Sequence, residues 1–373
     1  MNLTKSRLDQ GRLTKFRLGR LKVPLVTPFK TALRSVDHVD DVVVELELDN
    51  GMIGYGSAPA TAVITGDTHA SIMAAIRDFI WPAILGKHIR DLNDICQLID
   101  KAMIHNSSAK AAVEIAIYDL WSQSLGLPLY QALGGGISQL HTDITISVNH
   151  PDEMVSDAIK AVDLGYDTLK LKVGKDLQLD IDRIGAVAKA VGPDIRLRLD
   201  ANQGWSAKQC IQAISAMNRA GIEFELIEQP VAADDISGLK HCTEQLHTPV
   251  MADETAFSFA QSLHLMQNQG CDIINIKLMK AGGISKALHI ADAATAFRMP
   301  CMMGCMLESS IGVAAAAHVA ASRHQVITKI DLDSPSLCQF NPVAGSVEFH
   351  DAAISLNQSP GLGIESIQSL TYL

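Results

Sequence analysis

The pattern of apolar and polar positions divides the chain into a strand-rich start, a helical middle and a long region of alternating strands and helices. Residues 13–56 have the pattern of strands closed by turn residues at 49–51, and 28–34 are expected to form a loop. Apolar residues then recur at helical spacing over 70–79, 91–103 and 109–125. Strands followed by helices predict an α+β domain over residues 1–135, including a short basic N-terminal extension.

After Gly136 a strand followed by a helix recurs at nearly constant spacing. The predicted strands are 142–148, 168–173, 195–200, 224–228, 250–253, 273–278, 301–306 and 326–332. The predicted helices are 152–164, 180–191, 206–220, 236–246, 258–268, 285–297 and 312–321, with only a weak turn after the eighth strand. Eight strands with helical crossovers predict a parallel (β/α) barrel over residues 136–335, and residues 336–373 are expected to return to the N-terminal domain.

Composition narrows the class of protein. Hydrophobic residues make up 47% and charged residues 19% of the 373-residue chain, which is typical of a soluble globular protein. The net charge of −10 argues against a general nucleic-acid or anionic-membrane surface, and no apolar run reaches the roughly 18 residues of a membrane span. Seven cysteines without a C-x-x-C pair favour reduced thiols in the cytoplasm. The basic N-terminus lacks the apolar core of a secretory signal, and an organellar transit peptide is the alternative.

Charged residues stand at the ends of the barrel strands. Lys170 and Lys172 are two apart on one strand and therefore share a face, and they would need acidic partners if that face is buried. Later strands end in Asp200, Glu228, Asp253 and Lys277. Catalytic residues of such barrels lie at the C-terminal ends of strands, so these positions predict an active site. The alternative is a buried ion-pair network without function.

The three acidic strand ends have the chemistry of a magnesium site. Asp200, Glu228 and Asp253 offer hard oxygen ligands from neighbouring strands and leave positions for water and substrate. Zinc is less favoured, because no histidine or cysteine stands at an equivalent strand end. A divalent cation on a substrate carboxylate would stabilise the enediolate formed when the neighbouring carbon loses its proton.

The positions of two lysines suggest how a proton could be moved between the two faces of a carbon. Lys172 and Lys277 belong to the second and sixth barrel strands and so approach the centre from opposite sides. One base on each side of a carbon permits removal of a proton from one face and its return to the other, which is epimerisation or racemisation. A base needs a lysine pKa lowered from about 10.4 toward 7 to 8, and the charge of Lys170 or of a metal could lower it. Taken singly, each lysine could instead be an ion-pair partner or a Schiff-base lysine.

Five motifs resemble those of the enolase superfamily, muconate-lactonising subgroup. They are Lys170-Leu-Lys172, Asp200-Ala-Asn-Gln-Gly-Trp205, Glu228-Gln-Pro230, Ala252-Asp-Glu254 and Asn275-Ile-Lys277-Leu-Met-Lys280. The resemblance extends from about Val23 to Gly363. It implies a capping domain that lies over an enolase-type barrel and is completed by the C-terminal tail. It also implies one Mg²⁺ per subunit on Asp200, Glu228 and Asp253, with Lys172 and Lys277 as the acid/base pair and Lys170 beside them.

Two further segments resemble the dipeptide epimerases of this subgroup. There, the aspartates matching Asp331 and Asp333 receive the α-ammonium of the substrate; the alternative is that they cap a loop. The segments 28–34 and 64–67 are similar to those of L-Ala-D/L-Glu epimerases, in which the arginine matching Arg34 holds the glutamate side chain. A merely solvated arginine is the alternative. Cys305 and Glu308, after the seventh strand, leave the range of accepted side chains open.

The resemblance therefore implies Mg-dependent epimerisation of the C-terminal residue of a dipeptide, with L-Ala-L-Glu and L-Ala-D-Glu as the favoured pair. The expected partner is this small molecule, without nucleic acid or membrane, and a homo-oligomer is compatible with the sequence. Such an activity would suit degradation of cell-wall peptides in a bacterial cytoplasm. The alternatives are a cycloisomerase, an o-succinylbenzoate synthase and a dipeptide-binding protein without catalysis. Asp331 and Asp333 argue against the first two, and Lys277, where a histidine would be expected, argues against a sugar-acid dehydratase.

Overall fold

The N-terminal region begins with an antiparallel sheet. A computed structural model describes residues 10–32, 34–174 and 176–373, so most of the basic extension lies outside the described residues. The strands are β1 (Leu13–Lys30), β2 (Ser35–Leu48) and β3 (Ile53–Pro59). The expected loop at 28–34 is shorter than predicted, because β1 continues to Lys30 and pairs there with Ser35 of β2. The backbone N–H of Thr31 donates to the carbonyl of Arg34 at 2.9 Å across the turn.

Helices cover one face of this sheet. They are α1 (His69–Ala75), continued by a π-helical turn (Ile76–Ile80), α2 (Trp81–Ile84), α3 (Leu92–Lys101), α4 (Ser107–Leu125) and α5 (Leu129–Ala132). Helix α4 is buried over most of its length and lies against β3. The approach is close because β3 has glycine at position 56, where a Cβ would lie 1.9 Å from the carbonyl oxygen of Ala112. The helix predicted at 70–79 corresponds to α1 and most of the π-helical turn, and α2 continues the helical segment to Ile84.

The second region is an eight-stranded parallel sheet rolled into a nearly closed barrel. A short strand, β4 (Gln139–His141), precedes it. The barrel strands are β5 (Ile144–Ile146), β6 (Thr168–Lys172), β7 (Arg196–Asp200), β8 (Leu226–Glu228), β9 (Val250–Ala252), β10 (Ile273–Ile276), β11 (Cys301–Gly304) and β12 (Ile327–Asp331). Each pairs with its neighbour in chain order. Between β12 and β5, the N–H of Leu332 donates to Thr142 Oγ1 at 2.8 Å and that of Thr145 to Asp333 Oδ2 at 2.7 Å.

Helices follow the barrel strands as predicted, with small shifts of their ends. They are α6 (Pro151–Asp163), α7 (Leu177–Val191), α8 (Ala207–Arg219), α9 (Ile236–Gln245), α10 (Phe259–Asn268), α11 (Leu278–Ala281), α12 (Ile284–Phe297) and α13 (Ser310–Ser322). Helices α8 and α10 begin with capping boxes at Ser206 and Ser258. The unpredicted α11 directly follows Lys277, and after β12 the chain forms only a 3₁₀ turn (Ser334–Leu337). Strands β9 and β10 are shorter than predicted, so Asp253 and Lys277 lie just beyond their ends.

The C-terminal segment joins both regions. Its strands are β13 (Val343–Ala344), β14 (Glu348–His350), β15 (Ala353–Ser355), β16 (Ser366–Ile367) and β17 (Leu370–Tyr372). Strand β15 pairs with β4 beside the barrel, while β17 adds a fourth strand to the N-terminal sheet by pairing with β1. No helix among the described residues is both long and apolar enough to span a bilayer.

An apolar contact seats the N-terminal sheet on one side of the barrel mouth. Leu21, Val23 and Val43 of β1 and β2 share one buried cluster with Leu307 and Ile311, which follow β11. Because these side chains are almost fully buried, the contact fixes the β1–β2 hairpin relative to the C-terminal ends of the strands. The tip of the hairpin thereby becomes one wall of a cavity.

Candidate active site

A cavity lies where the β1–β2 hairpin meets the C-terminal ends of the barrel strands. The free space between its lining atoms is about 590 Å³, part of which is open to solvent. The N-terminal domain contributes Phe29, Thr31, Arg34, Val63 and Ile64. The barrel side contributes Thr145, Lys170, Lys172, Asn202, Asp253, Lys277, Cys305, Met306, Leu307, Asp331, Asp333, Ser334 and Leu337. The structure thus brings most of the predicted site residues to one place.

Lys172 and Lys277 face this cavity from opposite sides. Lys172 ends β6 and Lys277 follows β10, four strands further around the eight-stranded barrel. The ammonium of Lys172 donates to the carboxylate of Asp200, and its Nζ lies 5.9 Å from the ring centroid of Phe29. Lys277 Nζ donates to Asp253 Oδ2 at 2.8 Å. Both ammonium groups are therefore held at the mouth of the barrel, with the space for a small molecule between them.

Glu228 lies between Lys170 and Lys277. Its Oε2 is 3.9 Å from Lys170 Nζ, and its Oε1 is 4.0 Å from Lys277 Nζ. Burial alone would lower the pKa of Lys277, but the carboxylates of Asp253 and Glu228 outweigh it and hold that pKa above its ordinary value. The pKa of Lys170 is raised in the same way, chiefly by Asp331. The expected lowering of the pKa is thus not found for Lys277 or Lys170, because the neighbouring carboxylates stabilise their ammonium groups.

The three predicted metal ligands stand on neighbouring strands. Asp200 and Glu228 are directly paired in the register of β7 and β8, and Asp253 follows β9. Glu228 Oε1 accepts from Asn275 Nδ2 at 2.7 Å, but Glu228 Oε2 has no hydrogen-bond partner among the residues described. Burial, with the nearby Asp200, raises the pKa of Glu228 to about 8. A buried carboxylate oxygen without a hydrogen-bond donor is costly, and a set of hard oxygen donors suits Mg²⁺, so these residues fit the predicted ion.

Behind these ligands are two residues without a predicted role. Lys280 Nζ donates to the carbonyl oxygens of Asp253 at 2.6 Å and Asn275 at 2.9 Å, and it also pairs with the Asp253 carboxylate. Asn275 is two residues before Lys277, so strand alternation could have placed the two on one face. Room for both comes from Gly304 of β11, where a Cβ would lie 2.6 Å from Asn275 Oδ1 and 3.0 Å from Lys277 Cε.

Glu254 is an acid without a predicted role beside the predicted ligands. The residue is 5% exposed, and neither oxygen of its buried carboxylate has a hydrogen-bond partner among the described residues. Burial, with the adjacent Asp253, raises the pKa of Glu254 to about 7. It adds negative potential at this side of the barrel mouth whenever it is ionised.

Asp331 and Asp333 lie on the opposite side of Lys170. The carboxylate of Asp331 accepts from Lys170, and burial is more than offset by Lys170 and Lys277, so the pKa of Asp331 falls to about 2. Asp333 precedes the 3₁₀ turn but does not cap it, because its Oδ2 accepts from the N–H of Thr145 at 2.7 Å. Both line the cavity. A third acid, Asp143, joins them: one carboxylate oxygen of each residue lies within 4.8 Å of the others.

Arg34 is in the turn between β1 and β2. Its side chain lines the cavity and is half-buried, and burial lowers its pKa from the ordinary value. Within the described ranges 10–32, 34–174 and 176–373, no carboxylate forms an ion pair with it. A guanidinium without a protein partner at the cavity wall can receive an anionic ligand.

Cys305 and Glu308 differ in position. Cys305 lines the cavity, and burial raises the pKa of its thiol well above the ordinary value. Glu308 does not line it; its Oε1 accepts from the N–H of Met306 at 2.8 Å. Its own N–H donates to Ser334 Oγ at 2.9 Å. Glu308 therefore holds the loop between β11 and α13, and only Cys305 is placed to contact a ligand.

Comparison with known proteins matches both regions of the chain. Residues 16–134 match the family described as mandelate racemase / muconate lactonizing enzyme, N-terminal domain, and residues 153–369 match the family described as enolase C-terminal domain-like. An L-Ala-D/L-Glu epimerase of Clostridium acetobutylicum is 49% identical over 352 residues, which cover 94% of this chain and 98% of the relative.

Solved structures agree over nearly the whole length. The substrate-liganded L-Ala-D/L-Glu epimerase of Bacillus subtilis has a TM-score of 0.94 and 46% identity, covering 95% of this chain and 99% of that one. A dipeptide epimerase of Enterococcus faecalis in complex with Mg and L-Leu-L-Tyr has a TM-score of 0.92 and 40% identity, covering 95% and 100%.

The predicted barrel with its N-terminal domain, and the predicted resemblance to a superfamily, are confirmed by these matches. The relatives are epimerases, and since an epimerase is an isomerase, the chain is an enzyme of the isomerase class. With both of its characteristic domains present, the chain belongs to the enolase superfamily, in the group of mandelate racemase and muconate lactonizing enzyme.

Proposed function

We propose that the chain epimerises the C-terminal residue of a dipeptide, with Mg²⁺ as its cofactor and with Lys172 and Lys277 exchanging the proton. The observation that carries this proposal is the placement of the two lysines on opposite sides of one cavity. Relatives named L-Ala-D/L-Glu epimerase support it, as do related structures in complex with Mg and a dipeptide.

The proposed reaction leaves the number of protons in the site unchanged. One lysine, as the neutral amine, takes the proton from the carbon next to the substrate carboxylate, and the other, as the ammonium, donates a proton to the opposite face. A divalent cation held by Asp200, Glu228 and Asp253 would supply positive charge to the substrate carboxylate. Asp253 and Glu228 also raise the pKa of Lys277, so neutralising them would let its pKa fall toward the range that a base needs.

The remaining side chains orient the dipeptide. Asp331 and Asp333 line the cavity beside Lys170 and offer negative charge to the α-ammonium of the first residue. Arg34 lies on the wall formed by the hairpin and offers a bidentate partner to a side-chain carboxylate. This arrangement favours L-Ala-L-Glu and L-Ala-D-Glu as the substrate pair.

Deuterium exchange tests the proposal. The protein with Mg²⁺ and L-Ala-L-Glu in deuterated water should incorporate deuterium at the glutamate Cα and form L-Ala-D-Glu, followed by NMR. Lys172→Ala and Lys277→Ala should each abolish epimerisation, since each removes the proton donor or acceptor of one face. Lys208→Ala, an exposed lysine on α8, is the matched control and should retain activity.

Two results would contradict the proposal. Binding of dipeptides without any deuterium uptake, across a panel of dipeptides, would indicate a binding protein instead. Epimerisation that persists in both lysine variants would exclude the two-base mechanism.

A further inference from the structure

Asp143 lies beneath the predicted ammonium site and has no role in the proposal above. We name Asp143, Asp331 and Asp333 the acid trio. Asp331 and Asp333 line the cavity, whereas Asp143 does not; it precedes β5 and is 1% exposed. Asp143 Oδ2 accepts from Arg198 Nη1 at 2.7 Å. Its Oδ1, in contrast, has no hydrogen-bond partner among the described residues, although it is buried beside two other carboxylates.

The charges around the acid trio do not balance. Lys170 pairs with Asp331, Arg198 pairs with Asp143 and Glu225, and Lys329 pairs with Glu225 at 2.7 Å. Four carboxylates thus face three cations, which leaves one negative charge. Other titratable or charged groups that influence the trio are Glu228 beside Lys170, Lys172, Lys277, Tyr166 and the Cys305 thiol. The missing charge is single, as is that of an ammonium group.

A proton can hold the place of the missing cation while the site is empty. An unpaired ionised carboxylate at this depth is costly, so such a group takes up a proton instead. Burial and the nearby Asp331 raise the pKa of Asp143 well above its ordinary value, while the pKa of Asp331 falls to about 2. The trio therefore keeps Asp331 ionised beside Lys170 and holds one proton on the side of Asp143 and Asp333, whose pKa values are both raised.

We propose that Asp143 is a positioning residue of the ammonium site and that the acid trio exchanges one proton for the α-ammonium of the substrate. This inference rests on the proposed function, because it needs a substrate with a free α-ammonium. The substrate ammonium and the proton compete for the same negative charge. Affinity for the dipeptide should then rise with pH as long as the substrate amine stays protonated, which holds up to about pH 7.5.

The test compares the wild type with Asp143→Asn, both loaded with Mg²⁺. Asparagine keeps an acceptor for Arg198 but cannot ionise. For the wild type, KM for L-Ala-L-Glu should fall as pH rises from about 5 to 7.5. For Asp143→Asn, KM should be about tenfold higher at pH 7.5 and should lack this fall, while the pH profile of kcat stays as in the wild type. Asp119→Asn is the matched control: Asp119 is also buried, with a pKa raised to about 6, but its partners are the N–H groups of Tyr55 and Leu362.

Calorimetry on the wild type gives a second readout that does not depend on folding of the variant. Titration with the equilibrium mixture of L-Ala-L-Glu and L-Ala-D-Glu, in buffers of different ionisation enthalpy, should show proton release on binding. N-acetyl-L-Ala-L-Glu, which has no ammonium, should bind without that release. The same pH dependence of KM in Asp143→Asn, or equal proton release with both ligands, would overturn the proposal. A wild type that epimerises no dipeptide would overturn the proposed function and this inference together.

Discussion

Two groups of acids at the mouth of the same barrel are arranged differently. The first, which we name the spread group, consists of Asp200, Glu228 and Asp253 at the ends of three neighbouring strands. Asp200 and Asp253 each pair with a lysine. The acid trio is compact, with oxygens of all three residues within 4.8 Å of one another. The spread group leaves Glu228 Oε2 without a hydrogen-bond partner among the described residues but close to Lys170, whereas the unpartnered oxygen of the trio belongs to Asp143, whose other oxygen accepts from Arg198.

The formal charges of the two groups suggest why the arrangements differ. Around the spread group, four acids including Glu254 face the three lysines Lys172, Lys277 and Lys280, which leaves one negative charge. A divalent cation together with a substrate carboxylate would add one positive charge in sum. The trio also lacks one positive charge, which an ammonium alone would supply. The two ends of a dipeptide would thus be distinguished by the ion that each group is built to accept.

Removing one ligand from the spread group should have the largest effect. Glu228→Gln keeps the size of the side chain but loses the negative charge at the unpartnered oxygen. We expect the exchange rate at the glutamate Cα to fall by about 10³-fold or more, because the developing charge loses its electrostatic stabilisation. Calorimetric titration should show weaker Mg²⁺ binding.

The control for this variant is Glu114→Gln. Glu114 is another buried carboxyl, but it accepts from the N–H and the hydroxyl of Ser285 at the interface between α4 and α12. That variant should bind Mg²⁺ like the wild type. Unchanged Mg²⁺ affinity in Glu228→Gln would remove Glu228 from the ligand set and the basis of the comparison.

Neutralising one acid of the trio should act on binding rather than on chemistry. Asp333→Asn can still accept from the N–H of Thr145, so the local fold is kept. We expect KM for L-Ala-L-Glu to rise about 10- to 100-fold, the usual value of one hydrogen bond to a charged group. Affinity for N-acetyl-L-Ala-L-Glu should change much less. An equal loss for both ligands, measured by steady-state kinetics and competition, would mean that Asp333 does not recognise the ammonium.

The sequence predicts the spread group better than the trio, for a physical reason. Lys170, Lys172 and the acidic strand ends follow from period-two alternation and from regular strand spacing, both of which are local patterns. Asp143 instead stands near the start of the first predicted barrel strand, whereas site residues are expected at the C-terminal ends of strands. It reaches Asp331 and Asp333 only because β5 closes the barrel against β12, which are separated by nearly the whole barrel sequence.

The capping hairpin shows a similar limit. Turn residues at 28–34 predict a loop, but strand pairing extends β1 to Lys30, since the hydrogen bonds to β2 outweigh the local preference. Arg34 was expected near the substrate on resemblance alone. Its place on the cavity wall depends on the packing of β1 and β2 against Leu307 and Ile311, which no local pattern reveals.

Variants of Arg34 test whether a positive charge on the cavity wall, in addition to the two acid groups, selects dipeptides with an acidic side chain. Arg34→Ala should lower kcat/KM for L-Ala-L-Glu about tenfold relative to a neutral dipeptide such as L-Ala-L-Leu, since only the first carries a side-chain carboxylate. Arg34→Lys keeps the charge but not the bidentate geometry and should fall between the two. If Arg34→Ala turned over acidic and neutral dipeptides in the wild-type ratio, the glutamate assignment would be wrong.

A variant of Glu308 tests whether burial of a carboxylate is enough to make it important for ligand binding. We expect it to have the smallest effect on activity. Like Glu228, Glu308 has a carboxylate oxygen without a hydrogen-bond partner among the described residues, but the acid near it is Asp41 and not a predicted metal ligand. Burial raises the pKa of Glu308 to about 8, so its contribution to folding is complete below the unfolded value near 4.5 and is lost as pH rises to about 8.

Glu308→Gln should therefore remove part of the fall in stability between about pH 4.5 and 8, because glutamine does not ionise. Urea unfolding at both ends of this range should show the variant gaining stability over the wild type as pH rises, by a few kcal/mol at most. Exposed Glu348→Gln serves as the control and should keep the wild-type slope. Mg²⁺ and dipeptide binding should be retained in Glu308→Gln, because Glu308 neither stands beside the predicted metal ligands nor lines the cavity. Weakened Mg²⁺ binding in this variant would show instead that the cation site extends beyond the spread group.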